Sequence, residues 1–297
     1  MFKTVVTIIG SGLSASLQEK FVGSIKSLGL GSIELVSLCD DYAIDIFIDN
    51  GGEELKAKIR SKLKNIGSFD VFIQNNDSFR KKKLLIADMD ATIVVQETLN
   101  EIAKELNLAD KIVPITEKAM RGELDFEEAL KARVALLKGV PFEKLLSFAP
   151  KIEYSKGAKS LVKTMNKFGA KSVLVSGGFD IFTDYVARDL GFYKNFGNSL
   201  EVLGSELTGM VIPPIVDKFK KEQVLVAEAK EQGCDLKHVM AVGDGANDLN
   251  MLRRAGLGVG YFAKQLIVDN IEHQIRYTDL TSLLYMQGYK ESDVIDS

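Results

Sequence analysis

Two short apolar runs, each followed at once by aspartates, constrain this chain most strongly. Residues 84–87 (LLIA) precede the sequence DMDAT at 88–92, and residues 239–242 (VMAV) precede GDGAND at 243–248. Apolar runs of this length are typical of buried strands. The carboxyl ends of parallel strands meet at one edge of a sheet, so both acidic motifs are expected there. Close carboxylates need a proton or a cation, which predicts a site for a hard cation and a phosphoryl group.

Composition limits the partners of the chain. Its 297 residues are enough for two domains, and 46% hydrophobic with 27% charged residues is typical of a globular protein. A formal net charge of -3, without a dense basic stripe, argues against nucleic acid or an anionic membrane as a partner. The basic run at residues 81–83 is interpreted as a solvated linker rather than a binding patch.

Cysteines, histidines and the N-terminal residues bear on metal binding and location. Cys39 and Cys234 lack paired spacing, so both are expected to be reduced thiols without zinc. His238 and His273 match no metal spacing and are interpreted as structural or surface residues. The first residues lack a secretory pattern, and no segment is apolar enough to span a bilayer. These features predict a cytoplasmic protein.

The first 77 residues have the periodicities of a small α+β domain. Strand-like runs and helical spacing follow one another in the order βαββαβ. The predicted strands cover residues 3–9, 33–38, 43–48 and 70–74, and the predicted helices cover 14–28 and 53–66. This order resembles the ACT domain, a family that often senses amino acids. The resemblance implies a regulatory or dimerisation domain at residues 1–77, with an amino-acid ligand or a homodimer as expected partners.

A glycine motif lies between the first predicted strand and the first predicted helix. Residues 10–15, GSGLSA, fit the G-x-G-x-x-G/A fingerprint of dinucleotide-binding folds. Such folds alternate strands with helices, whereas the next two strands here follow one another directly. The motif is therefore interpreted as a tight turn.

A helical insertion interrupts the second domain. Helical spacing continues without a strand at residues 97–106, 111–121, 126–137 and 142–148. From Gly157 onward strands and helices alternate again, and a strand at 172–175 is expected to end in a turn at 176–178. The sequence thus predicts an α/β fold: a Rossmann-like parallel-sheet core at residues 81–287, a helical cap at about 95–153, and a polar tail at 288–297.

Four motifs in chain order carry a family resemblance. They are DMDAT at residues 88–92, SGG at 176–178, a lysine-bearing helix at about 219–232, and GDGAND at 243–248. This constellation resembles the haloacid dehalogenase-like (HAD) phosphatases. The resemblance implies hydrolysis of a phosphate monoester through an aspartyl-phosphate intermediate.

The first and last motifs supply the expected catalytic and metal-binding groups. Asp88 is expected to be the nucleophile, and Asp90 to protonate the leaving alkoxide and then deprotonate water. Their proximity is expected to raise the pKa of one of them. Mg²⁺ is the expected cofactor, bound by the Asp88 carboxylate, the Asp90 backbone carbonyl and the Asp244 carboxylate. Asp248 is expected to position Asp244 or a metal-bound water.

The second motif and an asparagine are expected to contact the phosphate. Ser176 offers a hydroxyl, and the backbone amides of Gly177 and Gly178 can approach closely because no Cβ intervenes. The Asn247 amide is expected to donate to the phosphate or to the rest of the substrate.

Three lysines compete for the phosphate-facing position. Lys218, Lys220 and Lys221 all lie at the start of the predicted helix. A fixed positive charge there would stabilise the transferring group. The family spacing to residues 243–248 selects Lys221, and the other two are expected to be solvated.

A closer resemblance, carried by the cap, is to the phosphoserine phosphatase family. The matching positions are Glu97, Met120-Arg121-Gly122, Phe126 and Arg133. The family implies that Arg133 grips a carboxylate and that Glu97 neutralises an ammonium group. Phe126 and Met120 would exclude water from the closed site. Taken singly, Arg133 is equally well explained as a helix-surface residue, and Glu97 as a carboxylate in the first turn of a helix.

The resemblance implies a Mg²⁺-dependent hydrolase of O-phospho-L-serine. In the resembling family this reaction is the last step of serine biosynthesis. One rival is phosphoryl transfer from phosphoserine to another alcohol such as homoserine. A second rival is an amino-acid-sensing regulatory protein with a vestigial phosphatase core, which the intact catalytic set argues against. Ala91 stands where the family usually has a serine, and this departure removes none of the expected catalytic groups.

Overall fold

A computed structural model describes residues 2–64, 66–120 and 123–296. Within these residues it contains an antiparallel sheet of four strands and a mostly parallel sheet of seven. The arrangement confirms the predicted fold class, an α/β sheet preceded by a small α+β unit. None of the helices in these ranges is long and apolar enough to cross a membrane.

The N-terminal unit has the predicted order βαββαβ. Its elements are β1 (Thr4–Ile9), α1 (Ala15–Lys26), β2 (Ile33–Cys39), β3 (Ala43–Ile48), α2 (Glu53–Leu63) and β4 (Asp70–Asn75). The sheet runs β2-β3-β1-β4, and every neighbouring pair is antiparallel. The likeness of this unit to the ACT domain stays an interpretation.

Both faces of β1 are covered, which explains why all six of its residues are buried. Val6 and Ile8 share one face and join Phe21 of α1 and Ile59 of α2 in one hydrophobic cluster. Ile9, on the opposite face, belongs to the core of the second unit. The N-terminal sheet therefore lies between its own helices and the second unit.

The glycine motif after β1 forms the predicted tight turn. Gly12 has a φ of +74°, in the left-handed region that favours glycine. A Cβ on Gly10 would lie 2.5 Å from Cδ1 of Phe69. Both neighbours of β1 are antiparallel to it, so the motif is not part of a parallel dinucleotide-binding unit.

Four helices follow the first strand of the second unit, at the positions predicted from the sequence. They come after β5 (Leu84–Ala87) and are α3 (Thr98–Glu105), α4 (Ala109–Met120), α5 (Phe126–Ala135) and α6 (Phe142–Phe148). Among the described residues of this stretch there is no strand, and only isolated bridges join Val94 to Tyr154 and Pro141 to Glu206.

The second sheet is parallel except at one edge. Its later elements are α7 (Ala158–Lys167), β6 (Lys171–Phe179), α8 (Asp180–Leu190), β7 (Lys194–Leu203), β8 (Glu206–Ile212), α9 (Lys218–Glu231), β9 (Val239–Gly243), α10 (Leu249–Arg254), β10 (Leu257–Tyr261), α11 (Gln265–Asn270), β11 (His273–Ile275) and α12 (Ser282–Tyr285). The order is β11-β10-β9-β5-β6-β7-β8, and β8 is antiparallel to β7. Because β5 lies at the centre, its four apolar residues are fully buried.

Buried polar contacts join the two units. Asp70, at the start of β4, accepts hydrogen bonds from the backbone N–H groups of residues 276–278 at 2.8, 3.3 and 3.1 Å. Arg80, in the connection between the units, donates to both carboxylate oxygens of Asp45 in β3 at 2.7 Å and to the carbonyl oxygen of Met286 in the second unit at 3.1 Å. These charge-assisted bonds fix the N-terminal sheet against the second unit.

The basic run at residues 81–83 is not simply solvated, and its interpretation as such is wrong for Lys82. Lys82 is 7% exposed, and its Nζ donates to the carbonyl oxygen of Lys237 at 2.7 Å. Burial lowers the pKa of Lys82 to about 8. Lys81 Nζ lies 4.1 Å from the centroid of the Tyr289 ring. The run therefore anchors the connection to the second unit.

The polar C-terminal residues pack on the second unit. Tyr289 is 2% exposed, and the backbone N–H of Ile295 donates to Oγ1 of Thr164 in α7 at 2.9 Å. A buried aromatic ring and a backbone hydrogen bond thus hold this segment on the helical face of the sheet.

The histidines and cysteines have surroundings consistent with structural roles. The rings of His238 and Phe79 have centroids 4.7 Å apart, and those of His273 and Phe72 are 6.0 Å apart. Burial, helped by nearby positive charges, lowers the pKa of His273 to about 3, so this imidazole is neutral at physiological pH. Both cysteines are free thiols.

Candidate active site

The carboxyl ends of β5 and β9 bring three aspartates together. Because these strands pair in parallel, Asp88 and the loop at residues 243–248 leave the sheet side by side. One carboxylate oxygen from each of Asp88, Asp244 and Asp248 lies within 4.8 Å of the others, and all three residues are buried. The predicted meeting of the two acidic motifs at one edge of the sheet is confirmed.

A tight turn follows Asp88. The backbone N–H of Asp88 donates to the carbonyl oxygen of Val242 at 3.0 Å, which extends the pairing of β5 with β9. Ala91 has a φ of +53°, and its small side chain suits this left-handed conformation better than a bulky one would. The Asp90 carboxylate accepts the backbone N–H of Thr98 at 3.2 Å. The turn is thereby tied to the first helix of the insertion.

The Lys221 ammonium is the positive charge that contacts Asp88 and Asp248. It is 0% exposed, and its Nζ donates to Oδ1 of Asp88 at 2.5 Å and to Oδ1 of Asp248 at 2.7 Å. Burial alone would lower the pKa of Lys221, but the charges of Asp248 and Asp88 outweigh it and raise that pKa. Of the competing lysines, Lys218 is exposed and Lys220 is partly exposed.

Asp248 organises the loop that carries Asp244. Its Oδ2 accepts the backbone N–H groups of Asp244 at 3.2 Å and of Gly245 at 3.1 Å. A Cβ on Gly243 would lie 2.5 Å from Cγ of Asp248, so a glycine is needed for this close approach. With its other oxygen bonded to Lys221, Asp248 supports the loop rather than facing open space.

The aspartates hold more negative charge than this buried lysine compensates. Burial and then the charge of Asp248 raise the pKa of Asp88 well above its usual range. Burial also raises the pKa of Asp244, although the ammonium of Lys264 opposes it. Buried oxygen ligands with excess negative charge are what a hard divalent cation requires. The residues present therefore fit a metal site.

The pKa of Asp90 is raised to about 7, first by burial and then by the charge of Glu97. The sequence predicted a raised pKa within the Asp88–Asp90 pair but assigned it to their mutual repulsion. Burial is the main cause, and the charge that adds to it is that of Glu97, which immediately precedes α3. A carboxyl group with this pKa can both hold and release a proton near neutral pH.

Residues 176–178 form an irregular strand end and not the separate turn that was predicted. β6 continues to Phe179, and its register with β7 shifts between Val175 and Phe179. Ser176 is buried, and its Oγ accepts the backbone N–H of Gly178 at 2.9 Å. The segment leaves the sheet beside β5, next to the aspartates.

Close contacts explain the two glycines of this segment. A Cβ on Gly178 would lie 3.1 Å from Oδ2 of Asp90, and a Cβ on Gly177 would lie 2.8 Å from Cζ of Phe126. Phe126 is the first residue of α5. The glycine pair therefore lies between the turn after β5 and the helical insertion, which covers the site.

Arg133 on α5 faces the acidic site. Its Nη1 donates to Oγ1 of Thr116 at 3.2 Å, and its Nε donates to the carbonyl oxygen of Ala129 at 3.1 Å. Burial lowers the pKa of Arg133, whereas the negative charges of Glu97 and Asp90 oppose that effect. These interactions favour a site-facing residue over the alternative of a solvated helix surface.

The remaining predicted site residues are described by their positions on nearby elements. Glu97 immediately precedes α3, and Asn247 lies partly exposed on the loop at residues 243–248. The Met120 side chain and residues 121–122 lie outside the part of the chain that the structure describes.

Sequence reasoning missed one charged residue of the site. Lys264 Nζ lies 3.1 Å from Oδ2 of Asp244 and 3.7 Å from Oε1 of Glu97. Its backbone N–H also donates to the carbonyl oxygen of Asp244 at 2.9 Å. The available signal was its position shortly after β10, a parallel neighbour of β9 whose carboxyl end lies at the same edge.

A family model and curated relatives identify the family of this chain. The family model of haloacid dehalogenase-like hydrolases matches residues 85–253. A phosphoserine phosphatase from Archaeoglobus fulgidus is 39% identical over 245 residues, which cover 81% of this chain and 71% of that protein. The family model covers the strand ends that carry Asp88, residues 176–178 and Asp244, but not Lys264.

Solved structures agree with the sequence matches. A haloacid dehalogenase family hydrolase from Salmonella enterica superimposes with a TM-score of 0.84 at 28% identity, covering 95% of this chain and 97% of that one. A phosphoserine phosphatase solved as a phospho-aspartyl intermediate analogue has a TM-score of 0.65 at 38% identity, covering 69% of this chain and 98% of that one. This chain belongs to the haloacid dehalogenase-like hydrolase family, in the branch that contains the phosphoserine phosphatases.

Proposed function

We propose that this protein hydrolyses O-phospho-L-serine to L-serine and phosphate. The observation that carries the proposal is the buried Asp88 carboxylate, which is bonded to Lys221, beside a helical insertion whose Arg133 lies in the field of Glu97 and Asp90. Relatives that carry the phosphoserine phosphatase name, at 31–40% identity, support the choice of substrate.

Asp88 is the proposed nucleophile. Its carboxylate oxygen attacks phosphorus, forming an acyl phosphate while the bond from phosphorus to the serine oxygen breaks. Asp90 gives its proton to the departing alkoxide, and then takes a proton from the water that hydrolyses the acyl phosphate. A pKa of about 7 suits Asp90 for both steps.

The phosphate is proposed to bind between Lys221 and the end of β6. The Lys221 ammonium neutralises charge on the transferring group, and the Ser176 hydroxyl and the Gly177 amide supply donors. The Gly178 amide, which donates to Ser176 Oγ in this structure, joins them only when it exchanges that bond for one to the phosphate. Asn247 donates from the opposite loop. Support comes from the burial of Lys221 and Ser176 beside Asp88, because hydrogen bonds to a charged group are strongest where water is excluded.

Mg²⁺ is the proposed metal, held by the carboxylates of Asp88 and Asp244 and the backbone carbonyl of Asp90. When bound, it would neutralise the charge that develops on the phosphoryl oxygens. Asp248 is proposed as a support and not a ligand, because its oxygens already accept from Lys221 and from two loop amides.

The insertion is proposed to recognise the amino-acid part of the substrate. Arg133 would pair with the carboxylate, and Glu97 with the ammonium group. Phe126 and Met120 would exclude water once the substrate is bound. The position of Arg133 in the field of Glu97 and Asp90 supports this division of roles.

The N-terminal unit, at residues 1–77, is proposed as a regulatory or dimerisation domain, and the catalytic core as residues 81–287. The buried bonds of Asp70 and Arg80 support this, since they would transmit a change in the first unit to the second. Its amino-acid ligand, a homodimer, the cytoplasmic location and the place in serine biosynthesis stay predictions.

Phosphate release from O-phospho-L-serine tests the function. We expect equimolar L-serine and phosphate in the presence of Mg²⁺, and no turnover after chelation, because three carboxylates with only two lysines beside them would repel the substrate dianion. Homoserine added in excess should not become phosphorylated. A phosphorylated homoserine would favour the transferase alternative, and binding without turnover would favour the regulatory protein.

Replacing Arg133 tests the recognition of the substrate carboxylate. We expect Arg133→Ala to raise KM for phosphoserine about 30-fold, since a hydrogen bond to a charged group is worth about 2 kcal/mol. Arg133→Lys should recover part of this loss, because lysine keeps the charge but not the bidentate geometry. The control is p-nitrophenyl phosphate, which lacks the carboxylate; an equal rise in its KM would contradict the role.

A further inference from the structure

Each of the three clustered aspartates already has a lysine contact. Lys221 donates to both Asp88 and Asp248, while Asp244 is contacted by Lys264 at 3.1 Å. A divalent cation that binds here must therefore enter a cluster of three negative charges that already has two positive charges beside it.

The two lysines differ in how firmly they are held. The Lys221 side chain is 0% exposed and makes two short hydrogen bonds, whereas the Lys264 side chain is 46% exposed. Water already reaches the Lys264 ammonium, so this side chain can move into solvent when a cation takes its place beside the buried Asp244 carboxylate, whereas Lys221 has no such exit. Its backbone stays in place, because its N–H is bonded to the Asp244 carbonyl and it directly precedes α11.

A second carboxylate lies within reach when Lys264 leaves Asp244. The Glu97 carboxylate is 3.7 Å from Nζ of Lys264, on the side of the insertion. The Lys264 ammonium therefore lies between two carboxylates, and it can turn toward Glu97 while its backbone stays in place.

We propose that Lys264 is a displaceable counter-ion of the metal site, which a divalent cation must drive from Asp244 in order to bind. The inference rests on the metal site of the proposed function. Lys264 neutralises Asp244 in the metal-free protein, and for the same reason it competes with the metal. Lys264 thus lowers the affinity of the site for the cation, while the buried Lys221 stays bonded to Asp88.

Calorimetric titration of the full chain with Mg²⁺, without substrate, tests the proposal. We expect Lys264→Met to bind Mg²⁺ about tenfold more tightly, as removal of one charge a few ångströms away implies. Lys264→Arg should bind like the wild type. Lys20→Met, on the exposed side of α1, removes the same charge far from the site and should leave the affinity unchanged.

Unchanged or weaker binding by Lys264→Met would overturn the proposal, because weaker binding would make Lys264 a brace for Asp244. Thermal unfolding of each variant in chelator verifies that it is folded. A wild type that binds Mg²⁺ but does not cleave phosphoserine would contradict the proposed substrate alone. A wild type that binds no divalent cation would contradict both the metal site and its counter-ion.

Discussion

Asp88→Asn is expected to lower kcat for phosphoserine by at least about 10⁴-fold. An amide is a poor nucleophile, so the acyl phosphate does not form and the pathway has no covalent intermediate. Asparagine has nearly the size of aspartate, and the buried Lys221 keeps its bond to Asp248. The loss should therefore appear in the chemical step and not in the fold.

The measurement is trapping of the phosphoenzyme by rapid acid quench, followed by mass spectrometry of the peptide that contains residue 88. The matched control is Asp248→Asn, which removes the other buried carboxylate that contacts Lys221. We expect this control to lose about 10- to 100-fold in activity, as for a group that orients a metal ligand, but still to form the phosphoenzyme. Phosphoenzyme in Asp88→Asn would exclude Asp88 as the nucleophile.

The place of the acidic site could be predicted from the sequence because it depends on local patterns. Four fully apolar residues before Asp88, and a similar run before Asp244, identify buried parallel strands, and the carboxyl ends of such strands share one edge. The helices of the insertion were also predictable, since their periodicity continues without a strand from residue 97 to residue 148.

What the sequence did not reveal are contacts between residues that are distant in the chain. Lys82 was interpreted as part of a solvated linker, and Lys264 was not identified at all, because the burial or pairing of a lysine depends on its tertiary partners. Lys82 can be buried because its Nζ donates a hydrogen bond to the carbonyl oxygen of Lys237. The raised pKa of Asp90 likewise depends on the fold, which buries this carboxylate and brings the charge of Glu97 close to it.

The positively charged side chains of the site differ in their exposure to solvent, and this difference connects the fold with the proposed chemistry. Lys221, fully buried, is positioned by a helix that follows the antiparallel edge of the sheet, and it is bonded to the nucleophile. Arg133 and Lys264 approach from the insertion and from the loop after β10, and both are more exposed. A fixed charge suits the transferring phosphoryl group, whereas the more exposed ones suit partners that enter and leave.

Lys221→Met is expected to lower the free energy of unfolding by about 3–5 kcal/mol in chelator. The substitution removes the ammonium bonded to Asp88 and Asp248 and leaves two buried carboxylates without that partner. The measurement is urea unfolding of the wild type and the variant, with and without Mg²⁺. A cation bound by Asp88 would restore part of the lost charge balance, so the difference between the two proteins should shrink when Mg²⁺ is added.

Lys220→Met is the matched control for this substitution. It changes the same residue type one position earlier on α9, where the side chain is partly exposed, and it should alter stability by no more than about 0.5 kcal/mol. If both variants were equally stable in chelator, the buried aspartates would not depend on the Lys221 ammonium. In that case they would be protonated in the metal-free protein, and metal binding at neutral pH would release protons that calorimetry in buffers of different ionisation enthalpy would detect.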